Sequence, residues 1–306
     1  MNNCQDSEIG FDDSSIRRIF TDPEGVLEDV HGFWEKEIPY KATIEWSDAT
    51  RVLIDYEDFR RNLEEIGRQA PEDRRKHEAY RLSKRIMDSA PTFRARALPH
   101  VCSYLPEGVK VDSVVRTACF IPPWAYYAGK EGVIINTSHR HWENDVGMVL
   151  NIIVHELFHV GFGRYIEPID FSKMKTREQT VDLLSRGLQN EGMATYVAYR
   201  ARHIFPSSAV DSDYRMLENR ADVLRLGEKI NRLLELGRSK PFEEIRDTIW
   251  EEGVRSRAYY VVGAHMASRI EEAYGRAALV DTIEKGSRCF IETYNRLPSD
   301  DFKILF

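Results

Sequence analysis

The feature that most constrains this chain is the segment 155–159, which reads His-Glu-Leu-Phe-His. Two histidines four residues apart lie one above the other on the same face of an α-helix. That spacing lets both imidazoles bind one metal ion at about 2.0–2.1 Å. Glu156 lies one residue further round the helix and can act as general base on a metal-bound water. The segment therefore predicts a helix that carries a catalytic metal site.

The residues that flank the segment favour a buried helix. Asn144 or Asp145 can cap its start, and Gly161 and Gly163 can end it. The apolar side chains between these ends are Val149, Ile152, Ile153, Leu157 and Phe158. Taken alone, the five-residue motif is also compatible with a metal-free buried helix whose two histidines are hydrogen-bonded, so the third ligand decides between the two interpretations.

A catalytic zinc ion usually has three protein ligands and one open position. The metzincin pattern needs glycine and histidine after the second motif histidine, where this chain has Phe162 and Tyr165. The other common solution is a glutamate on the next long helix, and Glu191 offers it. Its segment is apolar, and a buried carboxylate there would need a partner such as the metal. An exposed glutamate on a helix surface is the alternative.

Gly192 follows this glutamate within a predicted helix. Glycine inside a helix costs about 1 kcal/mol relative to alanine, which indicates close packing at this point. We expect the small residues here to let the helix of Glu191 approach the helix of His155 closely.

Two motifs together resemble a known group of enzymes. His155-Glu156-x-x-His159 followed by Asn190-Glu191-Gly192-x-Ala194 resembles the gluzincin peptidases, and the second piece is similar to that of aminopeptidase N-like enzymes. The match is closer to bacterial zinc-dependent peptidases of unknown function, whose Glu-Gly-x-Ala-x-Tyr signature appears at 191–196. The resemblance covers about Gly132 to Gly275. It implies His155, His159 and Glu191 as zinc ligands, Glu156 as base, and a peptide or protein substrate.

The chain departs from those relatives in two places. Between His159 and Glu191 lie 31 residues, a longer interval than is common in gluzincins, and the insertion, including 164–168, could form a loop at the rim of the site. The Gly-x-Met-Glu-Asn motif that binds a free amino terminus in aminopeptidase N-like enzymes is missing from the sequence. Aminopeptidase activity is therefore not implied.

Peptide hydrolysis also needs a donor for the negative charge that develops on the carbonyl oxygen. In the resembling family a Tyr-x-x-Gly segment on a later helix faces the metal, and here it begins at Tyr260. The resemblance implies Tyr260 as this catalytic donor, with His265 as second choice. A tyrosine packed in the core is the alternative.

Further residues could belong to the site. The predicted strand 132–137 could pair with an extended substrate as an edge strand, and Thr195 lies one helical turn after Glu191. Side chains that could line the cleft are His139, His141, Trp124, Tyr126 and Tyr127. The two histidines could instead bind a second metal or lie on a surface loop, and the aromatic cluster could simply be core.

Composition restricts the function further. Hydrophobic residues make up 42%, which indicates a folded globular chain. The net charge is −7, and a nucleic-acid-binding protein would usually show a basic surplus. The sequence has no run of 18 apolar residues and no signal-peptide pattern at its start. We expect neither a nucleic-acid nor a membrane partner.

Cys4, Cys102, Cys119 and Cys289 are scattered along the chain without a Cys-x-x-Cys pair. They predict neither a zinc knuckle nor a redox dithiol, and they fit a reducing, cytoplasmic compartment. A bridge between Cys102 and Cys119 is the alternative.

The periodicity predicts an α+β chain that is predominantly α-helical. Helical spacing dominates 14–90, and β-branched runs at 109–121 and 132–137 precede helices from 145 onward. We expect a zincin-like arrangement with a small β-sheet beside the motif helix. The first ~12 residues should be frayed. A boundary near residue 91 would separate an N-terminal helical region, 1–90, from a metallopeptidase domain, 91–306, unless the chain is one domain.

Three hypotheses for function follow. The first is a zinc-dependent metallohydrolase, a peptidase in which Glu156 activates the water. The second is a zinc-binding scaffold without turnover, which would have no need of Glu156. The third is a metal-free helical interaction module. The sequence alone does not define the substrate, endo- or exopeptidase action, the oligomeric state, or the choice of zinc over manganese, cobalt or iron.

Overall fold

The structure is a computed structural model of the 306-residue chain. It describes residues 6–50, 54–121, 125–142, 145–165, 174–208, 210–298 and 302–305, with 46–50 described as backbone. Several residues discussed above lie outside the described residues, namely Cys4, Trp124, Asn144 and the part of the insertion at 166–168.

The chain is predominantly α-helical with one small sheet, which confirms the predicted α+β class. The helices are α1 Ser14–Thr21, α2 Pro23–Glu28, α3 Val30–Lys36, α4 Ile38–Thr50, α5 Tyr56–Gly67, α6 Pro71–Arg74, α7 Glu78–Thr92, α8 Leu98–Cys102, α9 Val146–Phe162, α10 Arg177–Ala201, α11 Ser212–Glu218, α12 Arg220–Ser239, α13 Phe242–Ile249, α14 Ala258–Tyr274, α15 Arg276–Lys285 and α16 Ser287–Asn295. The strands are β1 Ile9–Asp12, β2 Ser113–Ala118, β3 Tyr126–Gly129 and β4 Gly132–Asn136. Two π-helical turns, Phe93–Ala97 and Trp250–Arg255, follow α7 and α13, and a 3-10 turn, Arg140–Trp142, precedes α9.

The four strands lie in the order β1-β2-β4-β3. β2 runs parallel to both β1 and β4, whereas β3 is antiparallel to β4. The prediction that 132–137 forms an edge strand is therefore wrong, because β4 lies inside the sheet and β3 forms the edge. Every residue of β4 is buried, as expected for an apolar strand covered on both faces.

The first residues are more ordered than predicted. Ile9–Asp12 form β1, with Ile9 opposite Ser113 and Asp12 opposite Arg116. Ile9 is buried in the core and Phe11 packs against it on the same face, which follows from the two-residue period of a strand. The expectation of fraying over about 12 residues was wrong because these two apolar side chains anchor the segment.

Two hydrophobic cores lie on opposite faces of the sheet. Alternate residues of β4 enter different cores: Val133 and Ile135 pack with α9, and Ile134 packs with the N-terminal helices. The smaller core joins Phe59 of α5 to Ile134, so it draws on both sides of residue 91. The boundary near 91 stays a prediction.

The close helix approach predicted at Gly192 occurs, but with a different partner. A β-carbon at Gly192 would lie 2.2 Å from the Cα atom of Gly263, and one at Gly263 would lie 2.1 Å from the carbonyl oxygen of Leu188. Gly192 thus allows α10 to touch α14, not α9. The backbones of α10 and α14 meet where two glycines face each other.

The cysteines only partly follow the sequence prediction. Cys119 is a buried free thiol, which excludes the Cys102–Cys119 bridge, and Cys289 is also free. Cys102 is disulfide-bonded, contrary to the expectation of reduced thiols throughout. The cysteines therefore give no support for a cytoplasmic location, which stays a prediction. Among the helices of the described ranges, none combines the length and the apolar character that a membrane span requires.

The helix crossing predicts a clear difference between two glycines of α10. Gly192→Ala would force a methyl group into the backbone of α14, so we expect the free energy of unfolding to fall by about 3 kcal/mol. Urea denaturation measures this change.

Gly187→Ala is the matched control on the same helix. Its β-carbon would meet the Tyr259 ring at an ordinary 3.4 Å. Because alanine favours helix, this variant should lie within ~1 kcal/mol of wild type or be more stable. Equal losses for both variants would contradict a specific crossing at Gly192.

Candidate metal centre

Helix α9 carries the His-Glu-Leu-Phe-His motif, and its start is capped by Asp145, one of the two residues that the sequence offered for this role. The Asp145 carboxylate accepts a hydrogen bond from the backbone N–H of Met148 at 3.0 Å and from the hydroxyls of Ser207 and Ser208 at 2.9 and 2.8 Å. Burial raises the pKa of Asp145, but these hydrogen bonds outweigh it and lower the pKa to about 2. The cap is therefore ionised at neutral pH and ties the helix to the loop after α10.

The three predicted ligands meet in one place. His155 Nε2 and His159 Nε2 are 3.0 Å apart. Glu191 Oε2, which comes from α10, lies 3.5 Å from His155 Nε2 and 3.3 Å from His159 Nε2. Within the described ranges these three residues form the one group with donor atoms close enough to share a metal ion.

The spacing of the donor atoms fits zinc. Tetrahedral ligands 2.0–2.1 Å from the ion lie roughly 3.3–3.4 Å from one another. The observed separations of 3.0, 3.3 and 3.5 Å bracket this value. Two nitrogens and one carboxylate oxygen form a typical catalytic zinc set, which leaves a fourth position for water or substrate.

The ligands also need a cation for electrostatic reasons. Burial lowers the pKa of His159, but the Glu191 carboxylate outweighs it and raises that pKa to about 9. Burial raises the pKa of Glu191, yet the two histidines hold it well below its usual range. In the metal-free chain a proton therefore supplies the positive charge beside Glu191, in the place that zinc would take.

Asn190 orients one ligand, a role that the sequence analysis did not assign. His159 Nδ1 donates a hydrogen bond to Asn190 Oδ1 at 2.9 Å, because an amide oxygen can only accept. This contact leaves the lone pair of His159 Nε2 free for the metal. Metal-bound histidines generally have such a partner, so the residue next to Glu191 could have been considered from sequence.

Glu156 is buried beside the ligands without being one of them. Its Oε1 lies 3.9 Å from His155 Nε2, and its carboxylate accepts a hydrogen bond from the backbone N–H of Ala128 on β3. Burial raises the pKa of Glu156, although the two histidines and the Ala128 amide act in the opposite direction. A carboxylate in this position can hold and release a proton next to the ligand group.

Tyr260 lies next to the ligand group, and its role as a catalytic donor stays a prediction. Its ring is nearly parallel to that of His155, with an interplanar angle of 17° and ring centres 6.1 Å apart. Burial and then the Glu191 carboxylate raise the pKa of Tyr260 well above its usual value, so the phenol stays protonated. Its hydroxyl has no hydrogen-bond partner in the described part of the chain.

His265 is not brought to this group. Five residues along a helix turn the side chain by about 140°, which places His265 on another face of α14. It stacks on Phe302 with ring centres 6.0 Å apart and meets the edge of Tyr294. The choice of His265 as second donor therefore has no support from the geometry.

The two tyrosines of β3 face opposite sides of the sheet. Tyr126 packs near Trp142 and His141, with ring centres 5.6 and 6.2 Å apart. Tyr127 packs in the smaller core on the other face. Only Tyr126 is therefore on the α9 side of the sheet.

The remaining candidates have weaker links to the site. His141 Nε2 lies 3.9 Å from Asp211, and His139 Nδ1 accepts a hydrogen bond from the backbone N–H of His141. Neither histidine belongs to a metal-ligand group among the described residues, so a second metal gains no support. The Thr195 hydroxyl is buried and has no hydrogen-bond partner there.

An ion pair that the sequence did not reveal lies beside Tyr260. Arg257 Nη2 donates to Asp213 Oδ2 at 2.6 Å and Arg257 Nε donates to Asp213 Oδ1 at 3.0 Å. The guanidinium carbon of Arg257 lies 3.3 Å from the centre of the Tyr260 ring. The partners are 44 residues apart in sequence, so no local pattern could have indicated this contact.

An open groove runs away from the metal ligands. Its volume is about 1140 Å³, and it extends from His159 and Val160 past the turn between β3 and β4. Ala128 and Gly129 of the edge strand form part of its wall. Further lining residues come from β1 and from β2, among them Gly10 and Ser113.

Comparison with known proteins identifies a family. Residues 52–301 match the model of a family described as "Putative zinc dependent peptidase (DUF5700)". No curated protein and no solved structure matches. The matched range contains α9, α10 and α14, and the description together with the His-His-Glu donor set assigns zinc as the metal. The predicted likeness to zincin folds stays a prediction.

Removal of a ligand should abolish stoichiometric zinc binding. We expect His155→Ala and Glu191→Ala to lose zinc, and Asn190→Ala to bind it about 10–100-fold more weakly because His159 loses its orienting partner. Competition with a chelator of known affinity measures each constant. His203→Ala, an exposed histidine, is the control and should keep wild-type affinity.

Zinc affinity should depend on pH with a defined sign. Below pH ~9 a proton occupies His159 in the metal-free chain, so apparent affinity should fall by up to tenfold per pH unit on acidification. Chelator competition at several pH values between 6 and 9 tests this, and a flat profile would contradict it.

The same shift fixes the pH dependence of the metal-free fold. The pKa of His159 in the folded chain is raised from 6.5 to about 9. The pairing of His159 with Glu191 therefore contributes its full stabilisation to the fold below pH 6.5, and this contribution is lost as the pH rises through 9. The melting temperature of the metal-free protein, measured at several pH values, should fall as this contribution is lost.

Proposed function

The chain belongs to the DUF5700 family, and from this membership and the geometry of its metal centre we propose that it is a zinc metallopeptidase of the gluzincin type. The observation that carries the proposal is Glu156. It is buried beside the ligand group, 3.9 Å from His155 Nε2, yet lies outside the His155, His159 and Glu191 set. A purely structural zinc site has no need of such a carboxylate.

The reaction that this site supports is hydrolysis of a peptide bond. A zinc ion held by His155, His159 and Glu191 would polarise the scissile carbonyl and lower the pKa of the attacking water toward 7. Glu156 takes the proton of that water and delivers it to the leaving amine nitrogen. The raised pKa of Glu156 suits a group that must accept and then release a proton.

Tyr260 is the proposed donor to the carbonyl oxygen. Its phenol stays protonated, its hydroxyl has no protein partner among the described residues, and its ring lies against the His155 ligand. A neutral donor placed where charge develops can lower the barrier substantially. His265 is not part of this proposal.

The open edge of β3 is the proposed site for the substrate backbone. Asn136 N–H donates a hydrogen bond to the Ala125 carbonyl, and backbone hydrogen bonds to β4 recur at every second residue of an antiparallel strand. The backbone N–H and C=O groups of Tyr126 and Ala128 therefore point away from β4. The backbone N–H of Ala128 donates a hydrogen bond to Glu156, and the backbone carbonyl of Ala128 is left to accept one from a substrate amide. An extended peptide could add to this edge and continue into the groove beside His159.

The decisive variant is Glu156→Gln, which keeps the shape of the side chain but cannot accept the proton. We expect zinc content to stay at wild-type level while turnover falls by about 10²–10⁴-fold. Digests of denatured casein, followed by mass spectrometry of the fragments, measure activity, and elemental analysis measures zinc.

Glu251→Gln, at an exposed position in the turn after α13, is the control and should cleave as wild type does. Normal turnover by Glu156→Gln would rule out the mechanism. A wild-type protein that binds zinc but cleaves nothing would instead favour a zinc-binding scaffold.

A further inference from the structure

The ring of Tyr260 has two flat neighbours. One is the imidazole of His155, with an interplanar angle of 17°. The other is the guanidinium of Arg257, whose central carbon lies 3.3 Å from the centre of the Tyr260 ring. Contacts with flat groups hold the plane of an aromatic ring and thus the direction of its hydroxyl.

Arg257 is itself held in place from another helix. Three of its N–H···O contacts, at 2.6, 3.0 and 3.1 Å, end on the carboxylate of Asp213 near the start of α11. Asp213 is only 4% exposed, so this carboxylate has little water to replace the arginine. The guanidinium therefore has one preferred position, determined by a residue that lies outside α14.

The backbone at Arg257 indicates that the side chain is needed there. Its φ angle is +66°, in the left-handed region that favours glycine, directly before the first residue of α14. Glycine would adopt this conformation without strain. Strained positions of this kind cluster where a particular side chain serves a site.

Arginine also fits the two contacts better than lysine would. The edge of a guanidinium can bind a carboxylate in a two-pronged manner while its face stacks on an aromatic ring. Arg257 makes both contacts at once, with Asp213 at its edge and Tyr260 at its face. An ammonium group cannot present a flat face to the ring.

We propose that Arg257, fixed by Asp213, is a positioning residue that aims the Tyr260 hydroxyl at the substrate carbonyl oxygen. The inference rests on the proposed function, because it assumes that Tyr260 is the donor. Arg257 does not touch the reacting atoms. It acts through the ring of Tyr260, so its contribution should appear in kcat and should disappear when the hydroxyl is absent.

A double-mutant cycle tests this dependence. The substrate is the best-cleaved peptide from the casein digest, and kcat and KM are measured for wild type, Arg257→Gln, Tyr260→Phe and the double variant. Tyr260→Phe should lower kcat by about 10²-fold. Arg257→Gln should lower kcat by at least about 10-fold with KM little changed, and the double variant should be no slower than Tyr260→Phe alone.

Two further variants guard against misfolding of Arg257→Gln. Asp213→Asn leaves the arginine but weakens its attachment, so it should lower kcat only when Tyr260 is present. Arg257→Lys should restore part of the kcat that Arg257→Gln loses, since the cation returns without the flat face. Zinc content and melting temperature are measured for each variant, so that kcat is compared only among folded, zinc-loaded proteins.

The chain contains a matched control for the same pair of contacts. Arg202 lies 3.8 Å from the centre of the Tyr199 ring and binds Glu218 at 2.8 Å. Arg202→Gln removes an equivalent stacked ion pair on the surface and should leave kcat unchanged.

The outcomes separate the proposals. If Arg257→Gln lowers kcat by the same factor with and without the Tyr260 hydroxyl, the positioning role is wrong and the ion pair is structural. If Tyr260→Phe leaves kcat unchanged while Glu156→Gln abolishes turnover, the donor assignment and the positioning role fail together and the metallopeptidase proposal stands. If wild type cleaves no peptide, the proposed function fails and takes the inference with it.

Discussion

The crowding of ionisable groups around the motif helix is the constraint on which the rest of this structure depends. His155, His159 and Glu191 place their donor atoms within 3.5 Å of one another, and buried Glu156 lies 3.9 Å from His155. Two carboxylates that both approach His155 Nε2, partly withdrawn from water, require positive charge beside them. A proton on His159 can supply some of that charge, and a divalent cation supplies all of it. A bound metal ion would therefore also stabilise the packing of α9 against α10.

One turn of α10 connects this centre to α14. Glu191 faces the two histidines of α9, while the adjacent Gly192 lets the backbone of α14 approach at Gly263. Tyr260 begins the turn of α14 that ends at this glycine, so the helix crossing determines how far its ring lies from His155. The position of Glu191 and the position of the Tyr260 ring are thus linked through backbone contact, which is far less adaptable than contact between flexible side chains.

Local patterns predicted the centre better than its surroundings. The spacing of His155 and His159, the cap at Asp145 and the family-like placement of Glu191 depend on residues close in sequence or on the resemblance. The position of β3 at the edge depends on which strands pair, and because pairing is not a local property, the apolar run of β4 does not reveal that it lies inside the sheet. His265 is close to Tyr260 in sequence, whereas helix geometry turns its side chain away from the ligands. The contact between Arg257 and Asp213 requires the packing of α11 on α14, which no single segment encodes.

The parallel pairing of β1 with β2 has a consequence for how the chain acquires its fold. Ile9 and Ser113 are neighbours in the sheet but 104 positions apart in sequence. During synthesis the first strand leaves the ribosome long before its partner exists, and the smaller core also waits for Ile134. Contacts of such long range close slowly, because the intervening chain must lose its freedom first. The N-terminal helices therefore complete their packing late, after the strands that precede the metal-binding helix have been made.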